Sequence, residues 1–260
     1  MNILLTNDDG IAGEGLLLLA RALRSQGRHR IWVVAPDTNR SGISHGVSFL
    51  STPVCLTPLG ADTWTCSGTP ADCVMMAFLG ALPVKPDIVV SGINHGANLG
   101  TDIVYSGTAA AARQGSLCGL PSLALSLVGD GLLYWEPAVS FVVEHFEEWI
   151  APLLGQSKTD IFINVNIPNT PEGPSGICTT FPSRRLYQDR VSIFDAPDGR
   201  RYCFLHAGAV GVEPETGSDE DAVARNLVSV SPVFVHPVVS REFCPHAPDH
   251  TAVSPRPSKK

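Results

Sequence analysis

The sequence predicts an α/β fold: a mostly parallel sheet over residues 1 to about 130, with a β-rich extension packed on it. Three observations predict it. A strand, a helix and a second strand follow one another within the first 35 residues, which is a βαβ unit and makes its two strands parallel. Further short apolar runs without polar alternation, as expected of strands buried on both faces, alternate with helical periodicity up to about residue 130. Beyond Ile167 the texture changes to Pro, Gly and alternating β-type residues.

Ile3–Leu5 reads as the first buried strand, ending in the turn formers Asn7-Asp8-Asp9-Gly10. Leu16, Leu19, Ala20 and Leu23 recur at helical spacing, and Gly27 closes that helix. Ile31–Ala35 is the second strand, stopped by Pro36 and followed by the polar loop Asp37–Gly42. Val47–Leu50 and Val54–Thr57, separated by Pro53, are expected to form an irregular hairpin, and Trp64–Ser67 another strand. Thr69 as N-cap, Pro70 at the first position and Asp72 three residues after the cap start a helix over 71–82. That helix is apolar nearly all round and so expected to be buried. Ile88–Val90 is a third buried strand running into Ser91-Gly92-Ile93-Asn94, followed by a long loop from His95 to Tyr105.

Ser106-Gly107-Thr108 opens an Ala-rich helix, and Ser122–Leu127 follows as a strand. Phe141, Val142, His145, Phe146 and Trp149 mark an amphipathic helix starting near Pro137. Ile161–Ile167 is a strand in which apolar residues alternate with Asn164 and Asn166. Asp198-Gly199, between Val191–Phe194 and Tyr202–Leu205, signals a hairpin. Glu213–Asp221 reads as an acidic mobile loop capping a short helix, Leu227–Val235 as a strand, and the tail from His236 as Pro-rich and unpatterned. With no repeat or low-complexity linker, residues 1–260 are expected to form a single domain: core, extension over 131–235, and tail over 236–260.

A net charge of −7, with no Lys/Arg-rich block before Lys259-Lys260, argues against a nucleic-acid groove or an anionic membrane as partner. The seven cysteines are odd in number and form no Cys-x-x-Cys pair, so they read as small apolar fillers in a reducing compartment. The chain begins directly on a strand, without a signal-like segment, and no apolar run reaches the roughly 20 residues that cross a bilayer. A cytoplasmic protein is expected.

Asp8-Asp9, Ser41 and Asn94 each lie just past a predicted strand, and in a parallel sheet the strand carboxyl ends share one side, so these groups can converge. Two carboxylates, a hydroxyl and an amide carbonyl make a hard, all-oxygen set suited to Mg²⁺, Mn²⁺ or Ca²⁺. Each residue singly also satisfies a turn or a loop. Ser106-Gly107-Thr108 offers N–H groups, hydroxyls and a positive helix end to an anion, and Ser67-Gly68-Thr69 is a second such nest; plain N-capping explains either. Neither a dinucleotide fingerprint nor a P-loop is present.

Asn7-Asp8-Asp9-Gly10, Ala35-Pro36-Asp37 with Asn39-Arg40-Ser41-Gly42, Ser67-Gly68-Thr69-Pro70-Ala71-Asp72-Cys73-Val74, and Ser91-Gly92-Ile93-Asn94 through Tyr105-Ser106-Gly107-Thr108 occur in that order over about the first 130 residues. Together they resemble the SurE family, the stationary-phase survival 5′-nucleotidases. Val228-Ser229-Val230-Ser231-Pro232 resembles the family's C-terminal segment less specifically. Ala97 and Thr101 depart from the family's loop and bear on its geometry and substrate preference.

The resemblance implies a Rossmann-like three-layer core, a metal-dependent phosphatase acting on nucleoside 5′-monophosphates, and homodimers or homotetramers built partly by exchanged C-terminal segments. It places the metal ligands at Asp8, Asp9, Ser41 and Asn94, and the phosphate side at Asn98, Ser106, Gly107 and Thr108. One divalent ion per subunit, Mg²⁺ or Mn²⁺, would activate water. Asp8 and Asp9 act through it, with the general base open between them. An aspartyl-phosphate route loses support because no Asp-x-Asp-x-Thr arrangement is present. His45 is either a donor to the leaving group or a solvated loop residue. The competing expectation is a nucleotide sensor that keeps the metal site and turns nothing over.

Overall fold

The structure is a computed structural model and describes residues 1–155, 160–212 and 215–237. In chain order the first half comprises β1 (Asn2–Thr6), α1 (Glu14–Gln26), β2 (Arg30–Pro36), β3 (Leu56–Gly60), β4 (Thr63–Cys66), α2 (Pro70–Met76), β5 (Ile88–His95), α3 (Gly107–Leu117) and β6 (Ser122–Val128). It continues with α4 (Trp135–Ile150), β7 (Ile161–Pro168), β8 (Ile177–Thr179), β9 (Arg185–Tyr187), β10 (Arg190–Asp195), β11 (Arg201–His206), β12 (Val210–Val212), α5 (Asp219–Ala224) and β13 (Val228–Phe234). Nine strands form one sheet in the order β3-β4-β2-β1-β5-β6-β7-β13-β8. Strands β4, β2, β1, β5, β6 and β7 run parallel, while β3 and β13 pair antiparallel with β4 and β7. The expected mostly parallel α/β core is therefore present, and β13 adds a strand from the extension to the same sheet.

Helices cover both faces. Leu16, Leu19 and Leu23 of α1 and Val142 and Phe146 of α4 share a core with Ile3, Leu5 and Val90 on one face. On the other, Cys73 and Val74 of α2 and Ala111 of α3 pack on Leu4, Val34 and Val89. The alternation Ile3/Leu4/Leu5 between these cores explains why β1 is apolar at every position. The β6-α4-β7 crossover steps the sheet away from β1 on the same face that α1 uses to step the opposite way. Its hand is therefore opposite to that of β1-α1-β2, an exception to the usual rule.

The chain leaves β1 for β2 on one side, while β5, β6 and β7 build out on the other. The carboxyl ends of β1 and β5 thus flank the point where strand order reverses, which opens a crevice there.

Four local expectations are corrected. Val47–Leu50 forms turns instead of a strand, and the hairpin lies later, between β3 and β4, because Ser48 is tied to Asp72 and Pro53 stops pairing before it. The helix after Pro70 becomes a π-type turn over Ala77–Ala81, and Leu79 is 69% exposed there, so its far end is not buried. Strand β5 runs on to His95, with a register shift between Ser91 and Asn94. Gly92 takes φ 128° at that shift, and a Cβ on it would lie 2.2 Å from the Leu125 carbonyl oxygen, so only glycine fits. The acidic stretch before β13 is anchored: Asp219 is fully buried, and Glu213 lies outside the described residues. Of the Pro-rich tail, residues 238–260 likewise lie outside them.

Candidate active site

The turn after β1 is bracketed by Asn7, whose Nδ2 donates to the Gly10 carbonyl (2.8 Å) and whose Oδ1 accepts from the Gly10 N–H (3.2 Å). This small ring fixes where Asp8 and Asp9 leave the sheet. Gly10 sits at φ 95°, and a Cβ there would come 3.1 Å from the Thr38 carbonyl carbon, so the loop after β2 lies directly on this turn. Arg40 N–H donates to the Asp8 carbonyl (2.7 Å), and Ser41 N–H to Asn39 Oδ1 (2.8 Å). Ser44 Oγ donates to the Val104 carbonyl, closing this loop against the segment before α3.

Asp8 is almost wholly buried, and Thr108 Oγ1 donates a short hydrogen bond to its Oδ1. Burial pushes the Asp8 carboxyl up from its ordinary value and the Asp9 charge adds to that, while the Thr108 hydroxyl and N–H pull it down. Asp9 is also pushed up, chiefly by burial, against the His95 N–H that donates to its Oδ2 (3.1 Å). Asn94 donates Nδ2 to the Gly96 carbonyl (2.9 Å), which leaves its side-chain carbonyl as the free end.

Asp8, Ser41, Asn94, Asn98 and Ser106 all line one open cavity of about 240 Å³, together with Asp102 and Tyr105. Asp9 does not line it; it borders a neighbouring cavity, and His95 borders both. Ser106 Oγ caps α3 by accepting from Ala109 N–H (3.0 Å). Gly107 and Thr108 stand behind the cavity wall, on the Asp8 carboxylate. The helix end expected to meet a phosphate therefore holds an aspartate first. Asn98 is locked in place: its N–H donates to Asn166 Oδ1, its Nδ2 to Ser126 Oγ, and its carbonyl accepts from Asn164 and Asn166. His45 turns away from the cavity to Gln114 of α3 (3.0 Å). The second nest, Ser67-Gly68-Thr69, is filled from within, since Asp72 accepts from the N–H groups of Thr69 and Ser48.

Sequence reasoning missed three supports of this site. Asp219 accepts from the N–H groups of Gly100 (2.7 Å) and Ser183 (2.8 Å), pinning the loop that follows Asn98. Arg185 pairs with Asp102 and Glu220, and Tyr187 donates to Asp102, so strand β9 of the extension grips that loop. Asn164 and Asn166 were legible as polar positions one pleat apart on β7; Asp219 and Arg185 carry no local signal.

Among the described residues no group of three or more His, Cys, Asp or Glu side chains could hold a metal ion. A hard divalent cation does not need one. Two adjacent carboxylates disfavoured in their charged form by burial, beside an amide carbonyl and a serine hydroxyl, are a donor set that such an ion completes. The space is also kept: a Cβ on Gly107 would lie 2.7 Å from Asp8 Cβ and 2.9 Å from its Oδ2. The residues fit the ion.

Residues 3–189 match the family described as survival protein SurE. The chain is 38% identical over 240 residues to the 5′-nucleotidase SurE of Thermosipho melanesiensis, covering 90% of this chain and 92% of that one. It is 40% identical over 247 residues to the 5′-nucleotidase SurE of Synechococcus elongatus, covering 90% and 93%. Its fold is similar to the crystal structure of the SurE protein from Aquifex aeolicus, with a TM-score of 0.78 at 37% identity, over 92% of this chain and 95% of that one.

Proposed function

The chain belongs to the SurE family of survival proteins, and from that premise we propose that it is a 5′-nucleotidase. It hydrolyses nucleoside 5′-monophosphates to nucleoside and phosphate, using one divalent ion per subunit, Mg²⁺ or Mn²⁺. The observation that carries this reading is the convergence of Asp8, Ser41, Asn94, Asn98 and Ser106 on one cavity beside Asp9.

Asp8, Asp9, Ser41 and the Asn94 carbonyl would hold the ion. Bound there, it supplies a water of lowered pKa and neutralises charge on a phosphoryl oxygen. The chain's own residues do the rest. Thr108 fixes the orientation of Asp8, so the carboxylate needs no rearrangement as the reaction proceeds. Ser106, at the start of α3, lines the cavity that would take the phosphoryl group, while Gly107 and Thr108 act behind it, on the Asp8 carboxylate. Asn98, held by four hydrogen bonds, defines the far wall. Asp9 is the less encumbered carboxylate, and we assign it the proton of the attacking water. His45, turned to Gln114, takes no part.

The same reading covers assembly and location. In hairpin β10–β11, Ile193, Phe194, Phe204 and Leu205 are each more than half exposed. An isolated two-stranded ribbon with apolar residues on its surface is not self-sufficient, which supports burial against another copy in a homodimer or homotetramer. No helix among the described residues is long and apolar enough to cross a membrane, and their cysteines are free, which supports a reducing cytoplasm.

The test is phosphate release from AMP or GMP with Mg²⁺ or Mn²⁺. Asp8→Asn removes most of it while the circular dichroism spectrum stays native. Activity that survives EDTA, or a wild-type protein that binds nucleotide with no turnover, overturns the hydrolase reading.

A further inference from the structure

The Asp8 cavity carries one carboxylate too many for an anionic substrate. Asp8 and Asp102 both line it, and none of the described residues lining it is a lysine or an arginine. A divalent ion would offset Asp8 and Asp9. No side chain of the cavity wall offsets Asp102, which by itself would repel a phosphoryl group brought in beside it.

The cation comes from outside the core. Strand β9 pairs with β12 in a two-stranded ribbon of the extension, apart from the main sheet. From this ribbon Arg185 Nη1 donates to Asp102 Oδ2 and the Tyr187 hydroxyl donates to Asp102 Oδ1, so both carboxylate oxygens are taken. The Arg185 side chain is 14% exposed and that of Asp102 25%, so solvent ions screen the pair only in part. Glu220, which does not line the cavity, holds the other edge of the guanidinium, accepting from Nε (2.6 Å) and pairing with Nη2. The backbone is fixed as well. Arg185 N–H donates to Thr101 Oγ1 (3.1 Å), and a Cβ on Gly100 would lie 2.4 Å from the Ser183 carbonyl oxygen. The approach to β9 therefore lies directly on the loop that carries Asp102.

We infer that Arg185 and Tyr187 are positioning residues that act through Asp102: by occupying both of its oxygens they screen this carboxylate from the phosphoryl group. The inference rests on the nucleotidase reading and deepens it, because it gives the extension a part in phosphate affinity beyond gripping the loop. A ribbon that only grips and a ribbon that screens behave differently when both partners are changed. If it only grips, losing Arg185 loosens the loop, and losing Asp102 as well repairs nothing. If it screens, losing Arg185 leaves a partly buried charge uncompensated at the cavity, and neutralising Asp102 cures the defect.

The experiment measures binding of inorganic phosphate by calorimetry with Mg²⁺ present, and hydrolysis of AMP, both at low salt. Arg185→Gln weakens phosphate binding about tenfold and raises the KM for AMP by a similar factor, with kcat changed less than about twofold, and the defect shrinks as salt is added. Adding Asp102→Asn to Arg185→Gln restores both to within about threefold of wild type. Tyr187→Phe, at a 38% exposed position, removes one donor to Asp102 and carries the same comparison where Arg185→Gln does not fold: a smaller loss of phosphate affinity, again cured by Asp102→Asn. A double variant no better than its parent, or a folded Arg185→Gln protein with wild-type phosphate affinity, overturns the screening role even if AMP is hydrolysed. Phosphate binding that falls and recovers in this pattern, in a protein that hydrolyses no ester, keeps the screening role and overturns the nucleotidase reading.

Discussion

Gly107→Ala offers a sharp test of how the site is held. The added Cβ would stand 2.7 Å from Asp8 Cβ, whereas carbon atoms rest at about 3.5 Å or more, so one of the two must retreat by roughly 0.8 Å. Asp8 Cβ is the first atom off the backbone, and no rotamer can move it aside. Either the start of α3 or the β1 turn has to shift. Overpacking of this kind costs about 1–3 kcal/mol, partly offset by the gain of up to about 1 kcal/mol when alanine replaces glycine in a helix. The net loss is about 0–3 kcal/mol, a Tm decrease of up to several degrees for a chain of this size. A displacement near 1 Å in a catalytic carboxylate costs far more in rate, about 10²-fold in kcat/KM. Phosphate release from AMP and thermal denaturation, measured on one preparation, separate the two effects. A variant with wild-type kcat/KM would refute the reasoning, because Asp8 would then tolerate a displacement that the proposed chemistry forbids.

Other expectations follow from the same contacts. Thr108→Val deletes the hydroxyl that donates to Asp8 and leaves a buried carboxylate short of a partner, a loss of about 1–3 kcal/mol in urea denaturation. That hydroxyl lowers the Asp8 pKa, so its removal moves the acid limb of the kcat/KM profile to higher pH, and Thr108→Ser restores it. Burial raises both Asp8 and Asp9, so the folded chain holds these protons more tightly than the unfolded one does. Their contribution to stability is full below the unfolded value near 3.8 and is lost as pH rises through the folded values. Mn²⁺ should therefore raise Tm strongly at pH 7.5 and little near pH 4, and Asp9→Asn should raise the metal-free Tm at neutral pH while weakening the Mn²⁺ effect. Asp219→Ala strips the acceptor from the buried N–H groups of Gly100 and Ser183. At about 1–3 kcal/mol for each orphaned donor, it should cost several kcal/mol in chemical denaturation and raise KM through the loosened loop.

What the sequence determined by itself is whatever local chemistry enforces. Apolar runs at Ile3–Leu5, Ile31–Ala35 and Ile88–Val90 read as strands buried on two faces, Thr69-Pro70-Ala71-Asp72 reads as a helix start, and each formed as read. Asp8 and Ser41 follow strands and Asn94 lies at the carboxyl end of one, so once those strands run parallel the three residues line a common rim. Turn composition was less decisive at Val47–Leu50, where a β-type run lost its pairing to a contact between Ser48 and Asp72, 24 residues away. Tertiary structure alone decided which face of Asp9 opens to which cavity, that Thr108 serves Asp8 directly, and that His45 belongs to Gln114. It also decided that Arg185 and Asp219, the latter inside a stretch read as a mobile acidic loop, hold the loop around Asn98. The physical reason is range: hydrophobic period and capping act over a few residues, whereas a buried hydrogen bond across about a hundred residues exists only after the sheet has brought its two ends together.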